Sequence, residues 1–241
     1  MPRGSLSILS QVTDSDSAAA APSARPGRSG RGGKRERLVK AAVQVFHEQG
    51  VEKTTLGDIA RAAEVPLGNV YYYFKTKDQL VEAAVDAHCE QLDALTVQLD
   101  TLPDPAARLT ALVAGWVDQR ETAARFGCPF GTLATELDKR DDGLDRAAAQ
   151  VMRALLDWVE SQFAQLGRAD AAALAVDLVA AYQGISVLTN TLRDPGLMAA
   201  QGERLRSWIA GIAQRQASGR AAHAVGEAFV EEEDVRLTRP R

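Results

Sequence analysis

The chain has 241 residues, 46% of them hydrophobic and 25% charged, enough apolar content to fill a core, which excludes a chain disordered throughout. Its formal net charge of -4, taken as a single figure, disfavours a nucleic-acid partner, so the charge has to be read segment by segment.

Residues 1–33 hold seven Ser, five Ala, five Gly and three Pro. That composition cannot bury enough apolar surface to offset the entropy of ordering, and a flexible arm is expected. No apolar run of seven or more precedes Asp14, so no secretory leader is read. The arm ends in a Gly- and Arg-rich stretch. Arg28 stands where a Walker loop needs its first Gly and Arg35 where it needs Ser or Thr, so a solvated basic arm is the reading.

From Lys34 onward the apolar spacing is helical, with no alternating strand pattern, and an all-α fold is expected. Leu38, Ala42, Val45 and Phe46 mark a first helix closed by Gly50. His47 is expected on its surface. Thr55 with Asp58 forms a capping box that opens a second helix through Ile59, Ala60 and Ala63. A short third segment covers 66–74, and Thr76 with Gln79 gives a second capping box that opens a long helix through Leu80, Ala84, Leu95 and Leu99. Asp104 and Pro105 start another, carried by Leu109, Leu112, Val113, Trp116 and Val117. Further helices are expected over 129–137, about 143–166, 170–192 and 195 to about 214. The charge-free stretch 178–192 has 15 residues, short of the roughly 20 that span a bilayer. No membrane partner and a cytoplasmic location are therefore expected. Past residue 217 the pattern fades into a poorly ordered tail. The organisation is thus an arm (1–33), a first domain (34–80), a larger helical domain (81–216) and the tail (217–241).

The most informative stretch is 54–74. A helix of about eight residues, a tight turn at Glu64 and Val65 and a second short helix have the proportions of a helix-turn-helix. At 100° per residue Val70 and Phe74 share the inward face, while Asn69, Tyr72 and Tyr73 point elsewhere. Gly68 lets the backbone at the helix start approach a base edge or a phosphate. Tyr71, Tyr72 and Tyr73 cannot all be core, so at least one presents its hydroxyl outward, where it can donate to a phosphate.

The run TTLGDIARAAEVPLGNVYYYFKTKDQL, residues 54–80, resembles the DNA-binding signature of TetR-type transcriptional regulators. Ile59, Ala60, Ala63, Val65, Gly68, Val70, Tyr71, Tyr73, Phe74 and Lys77 each stand at the family spacing. The resemblance implies an all-helical homodimer: an N-terminal three-helix DNA-binding domain and a C-terminal helical ligand-binding and dimerisation domain. It implies that Thr55, Tyr71, Tyr72 and Lys77 hold phosphates, that Leu67, Gly68, Asn69 and Tyr73 face the major groove, and that Lys77 links DNA binding to the ligand domain. Two positions depart from the pattern. Glu64 replaces the usual turn Gly, at a cost of about 1 kcal/mol if left-handed, and Pro66 replaces the usual capping Ser.

The charge count now supports DNA. Residues 34–80 hold eight Lys/Arg against six Asp/Glu, and Arg25, Arg28 and Arg31 raise the balance to +5, whereas 81–241 carries -8. In the larger domain Trp116, Phe126, Phe130, Met152, Trp158 and Tyr182 are what an ordinary core would use. The resemblance implies that such residues, with Cys128 and the hydrogen-bonding pair Tyr182 and Gln183, also border a pocket for a small, largely apolar effector. Cys128 precedes Pro129 at a helix start, where the dipole favours a thiolate, so a thiol-sensing role stands as an alternative to an inert buried cysteine. With only Cys89 besides it, no disulfide framework is possible. His88 and Cys89 are adjacent on one helix and cannot chelate together; no metal or cofactor is expected, and no nucleophile with a base suggests an enzyme. Small residues over 170–214 (Ala180, Ala181, Gly184, Ala210, Gly211) are, by the resemblance, a four-helix dimer interface, which would let two recognition helices read a palindromic operator in double-stranded DNA. The expectation is a ligand-responsive repressor, with a constitutive DNA-binding dimer as the alternative.

Overall fold

The computed structural model describes residues 29–140 and 143–215, and these are helical and loop only. In chain order the helices are α1 (Ser29–Gln49), α2 (Leu56–Ala62), α3 (Leu67–Tyr73), α4 (Lys77–Asp100), α5 (Pro105–Asp118), α6 (Arg120–Phe126), α7 (Pro129–Leu137), α8 (Leu144–Gln165) and α9 (Ala171–Leu192), followed by α10 over 195–215. Helix α1 starts five residues before the expected boundary, so 29–33 is helix rather than arm. The rest of the arm and the tail from 216 lie outside the described residues.

Local chemistry accounts for most of the boundaries. The Thr55 side chain accepts the Asp58 N–H while the Asp58 carboxylate accepts the Thr55 N–H, closing both halves of the capping box. At α4 only half of the expected box forms. Thr76 Oγ1 accepts the Gln79 N–H at 3.2 Å, but the Gln79 side chain turns back one residue further, to the Lys75 N–H at 2.7 Å. Asp104 caps α5 through the Ala107 N–H at 2.9 Å, with Pro105 in the first turn. Helix α6 went unanticipated because it has neither a capping side chain nor enough length for a period: its cap, Gln119, makes no side-chain bond.

The N-terminal unit folds α2 and α3 onto α1 around Leu38, Phe46, Ile59, Val70 and Phe74, all buried, with Leu80 of α4 completing it. Burying one Leu or Phe side chain is worth roughly 1.5–3 kcal/mol, and seven-residue helices could not persist without it. The body packs α9 against α8 and α6, around Phe163, Leu178, Ile209 and Ile212. Helix α10 approaches α5 closely at Gly202, where a Cβ would sit 2.2 Å from Val117 Cγ2. Trp116 and Tyr182 stack with ring centroids 4.1 Å apart and planes 13° from parallel. Helix α9 ends in Arg193 at φ +54°, and the Arg193 guanidinium donates to the carbonyls of Ala124 and Arg125 at the end of α6.

On length and composition α9 is apolar enough to cross a membrane, with a mean hydropathy of 1.7. The charge-free count overlooked this because Asp177 interrupts it. In the fold, one side of α9 is packed through Leu174, Leu178 and Tyr182, while Val176, Val187, Leu188 and Leu192 are exposed.

Candidate nucleic-acid interface

Helix α3 is held from behind and open in front. Val70 and Phe74 are buried, and Tyr73 is half-buried against the core with its ring edge-on to Tyr72, centroids 4.9 Å apart. Leu67, Tyr71 and Tyr72 are 46%, 50% and 59% exposed. Large apolar rings are normally withdrawn from water when a core lies within reach, so two outward tyrosines on a seven-residue helix make this face the candidate interface. Space is open at Gly68, where a Cβ would meet nothing within 4 Å. Asn69 is half-buried beside it, its N–H donating to the Pro66 carbonyl at 2.8 Å.

The turn between α2 and α3 carries both departures noted in the sequence. Glu64 is left-handed at φ +54°, which costs a side chain with Cβ about 1 kcal/mol. Pro66 occupies the cap of α3 and supplies no capping bond. Its φ of -55° is already that of the first helical turn, so the entropy of ordering it is small.

Basic groups surround this surface. Lys75 follows α3 and donates to the Tyr71 carbonyl at 2.7 Å, and the Arg35 guanidinium lies 5.4 Å from the Phe74 ring centroid. Arg61 is exposed beside Asp58, whose carboxyl is held below its usual range chiefly by its bonds to the Thr55 hydroxyl and N–H. Thr55 is therefore committed to its cap. Lys77 is turned inward: its ammonium donates to the carbonyls of Val51 at 2.9 Å and of Glu52 and Thr54 at 3.3 Å. It braces the turn after α1.

The eight residues expected around an effector pocket are not gathered into one site. Cys128, Met152 and Gln183 do line one cavity of about 690 Å³, together with Thr132 and Thr135 of α7 and Ser186 and Asn190 of α9. There the Gln183 amide donates to Cys128 Sγ at 3.6 Å and lies 3.8 Å from Met152 Sδ. Ser186 is buried with its hydroxyl unpaired. Trp116 and Tyr182 stack on each other beyond this wall, and burial pushes the Tyr182 phenol well up, keeping it protonated. Phe130 packs edge-on to His88, centroids 4.9 Å apart. Trp158 reaches across to Asp100, its Nε1 donating at 3.2 Å. Phe126 packs edge-on to His47, which is not the surface residue expected. His47 Nε2 lies 3.0 Å from the Gly127 carbonyl, and burial lowers its pKa. Periodicity on α1 offers no signal for a partner 80 residues away. Glu136 and Arg140, which join the N-terminal unit to the body, likewise carry no local sequence signal of their partners. The Glu136 carboxylate accepts the Val51 N–H at 2.7 Å, and Arg140 pairs with Asp78 at 2.6 Å.

Residues 38–84 match the family described as bacterial regulatory proteins, tetR family, and residues 105–204 match the C-terminal domain of LmrA/YxaF-like transcriptional regulators. Together these cover more than half of the chain. Among curated relatives, the HTH-type transcriptional regulator BetI of Klebsiella pneumoniae (strain 342) is 36% identical over 94 residues, 38% of this chain and 48% of that one. An HTH-type regulator in the lacX 3' region of Lactococcus lactis is 27% identical over 121 residues, 48% of this chain and 61% of that one. The chain thus spans about half the length of the curated relatives it matches. The fold is shared over nearly the whole of some solved proteins. A TetR-family regulator from Streptomyces coelicolor aligns with a TM-score of 0.66 at 24% identity, over 76% of this chain and 96% of that one. A TetR regulator from Legionella pneumophila aligns at 0.66 and 15% identity, over 78% and 98%. These relatives regulate transcription rather than catalyse reactions, and this chain belongs to the TetR family of DNA-binding transcriptional regulators.

Proposed function

We propose that this protein is a ligand-responsive repressor that acts in the cytoplasm as a homodimer on a palindromic operator. The observation that carries the DNA-reading half is the outward face of α3, with Leu67, Tyr71 and Tyr72 exposed around the open backbone of Gly68. In this reading Tyr71 and Tyr72 donate to phosphates, Leu67, Asn69 and Tyr73 meet the groove, and Thr55 and Lys77 reach phosphates only by exchanging their present partners. The exposed side of α9, with Val176, Val187 and Leu188 flanking Ala180 and Gly184, supports packing against a second copy. Two recognition helices about 34–36 Å apart would then read successive turns of one duplex.

The cavity between α7, α8 and α9 supports the ligand-responsive half. At about 690 Å³ it falls within the range of small-molecule sites, and its walls combine Met152 with Gln183, Thr132 and Thr135. A mobility shift on DNA flanking the gene tests the first half: retardation that weakens steeply with salt is expected, and none at low salt would overturn it. A thermal-shift screen of small molecules tests the second half, since a ligand of the native state raises the melting temperature. If no compound shifts melting or DNA binding, the constitutive reading replaces it. If only oxidants release DNA and Cys128→Ser abolishes that release, the thiol-sensing reading does.

A further inference from the structure

The turn between α1 and α2 is gripped from two sides by parts of the chain that lie outside it. From α4, the Lys77 ammonium holds the Val51 carbonyl at 2.9 Å. From α7, Glu136 Oε2 holds the N–H of the same residue at 2.7 Å. Gly50 makes room for that carboxylate: a Cβ there would lie 2.7 Å from Glu136 Oε1, and the φ of +86° disfavours any side chain. Val51 is buried and its N–H donates to the Glu136 carboxylate; a hydrogen bond to a charged acceptor is among the stronger kinds.

Glu136 also borders both openings around α7. It lines the cavity of about 690 Å³ shared with Cys128, Met152 and Gln183, and a cleft of about 330 Å³ beside Val51, Glu52 and Lys77. No other residue lines both except Lys139, which is exposed. His47, through the Gly127 carbonyl, and Arg140, through Asp78, also tie the body to the N-terminal unit.

We propose that Glu136 is a positioning residue for DNA reading: its carboxylate seats the α1–α2 turn on α7 and so sets how α3 is presented to the duplex. The inference rests on the DNA-reading function proposed above, and α7 is at once the wall of the ligand cavity and the support of the reading unit. A residue that merely adds stability would lower the melting temperature and leave the seating and the DNA contacts unchanged.

The test uses the full chain carrying Glu136→Ala or Glu136→Gln, with amide hydrogen exchange and DNA affinity as readouts. In Glu136→Ala the Val51 amide is expected to exchange about tenfold faster or more, while Ile59 and Val70 in the core of the unit keep their protection. Glu136→Gln, which retains an acceptor, should recover most of that protection. Affinity for the flanking DNA should fall about tenfold in Glu136→Ala with the salt slope unchanged, because no phosphate contact is removed. Unchanged Val51 exchange, uniform deprotection of Ile59 and Val70 along with Val51, or a shallower salt slope would each overturn the proposal. Where Glu136→Ala is too unstable to measure, Glu136→Asp withdraws the carboxylate by one methylene and should give the same local acceleration; its absence overturns the proposal too. If the wild-type chain fails to bind the flanking DNA at all, the function proposed above falls, while the exchange experiment still decides whether Glu136 seats the turn.

Discussion

The N-terminal unit and the helical body use aromatic side chains in opposite ways. In the body Trp116 stacks on Tyr182, Phe163 meets Trp208 edge-on, and Phe130 meets His88, so large rings are consumed in packing. In the small unit Tyr71 and Tyr72 are left largely in water although a core lies one helical face away. An aromatic residue by type therefore says little about a site. One kept outside where burial was available says more. Of the residues expected around a pocket, the aromatic ones are spread over several packing contacts, whereas Cys128, Met152 and Gln183 line one cavity together with Thr132, Thr135 and Asn190.

Substitutions can break this contrast or sharpen it. The largest effect is expected for Phe163→Ala, at a fully buried position of the body, which should cost about 3–5 kcal/mol in chemical denaturation. A loss below about 1 kcal/mol would mean the body core is looser than its packing indicates. Acid comes next. Burial lowers the His88 pKa from 6.5 to about 4, so in the unfolded chain this imidazole takes up a proton near pH 6.5 while the folded chain excludes it. Stability should fall as pH drops from about 6.5 to about 4 and the His88 contribution should level off below that, a loss of about 3 kcal/mol in total. His88→Phe or His88→Leu should flatten that part of the pH profile; an unchanged profile would show that His88 is not its source.

Gly202→Ala should cost about 1–3 kcal/mol, because the added methyl meets the short, branched Val117 side chain rather than a flexible tip. Its melting curve should show the loss while the circular dichroism of the folded state stays the same. In the small unit Glu64→Gly should gain about 1 kcal/mol by relieving the left-handed turn. The smallest effect on stability is expected for Tyr72→Ala, within about 0.5 kcal/mol of wild type. The same variant should lose about tenfold or more in DNA affinity, the scale of a hydrogen bond to a charged group. If Tyr72→Ala instead lowered stability and left DNA binding intact, the exposed ring would be a structural element and not a contact.

The N-terminal unit could be read from its residues because its determinants are local. Thr55 and Asp58, Thr76 and Gln79, and the spacing of Ile59, Val65, Val70 and Phe74 all act within a few positions of one another. The cap of α5 at Asp104 and Pro105 was legible for the same reason. What stayed hidden depends on distant partners. His47 finds its acceptor at Gly127, Glu136 finds its donor at Val51, and Arg140 finds Asp78, and none of these pairs leaves a periodic trace. Lys77 shows both sides. Its place at the start of α4 was visible, yet its hold on three carbonyls of the preceding turn follows only from how α4 crosses α1.

Arg193 ties the end of α9 to the end of α6. Helix α6 has seven residues, too short to persist alone, and the carbonyls of Ala124 and Arg125 at its end are held by a guanidinium 68 residues or more downstream. A helix this short takes its stability from what it packs against, so α6 should acquire its protection only once α9 has docked. Pulse-labelled exchange during refolding would then show the amides of α6 lagging behind those of α1 and α8, and Arg193→Ala would leave that late step weakly populated while the earlier ones proceed.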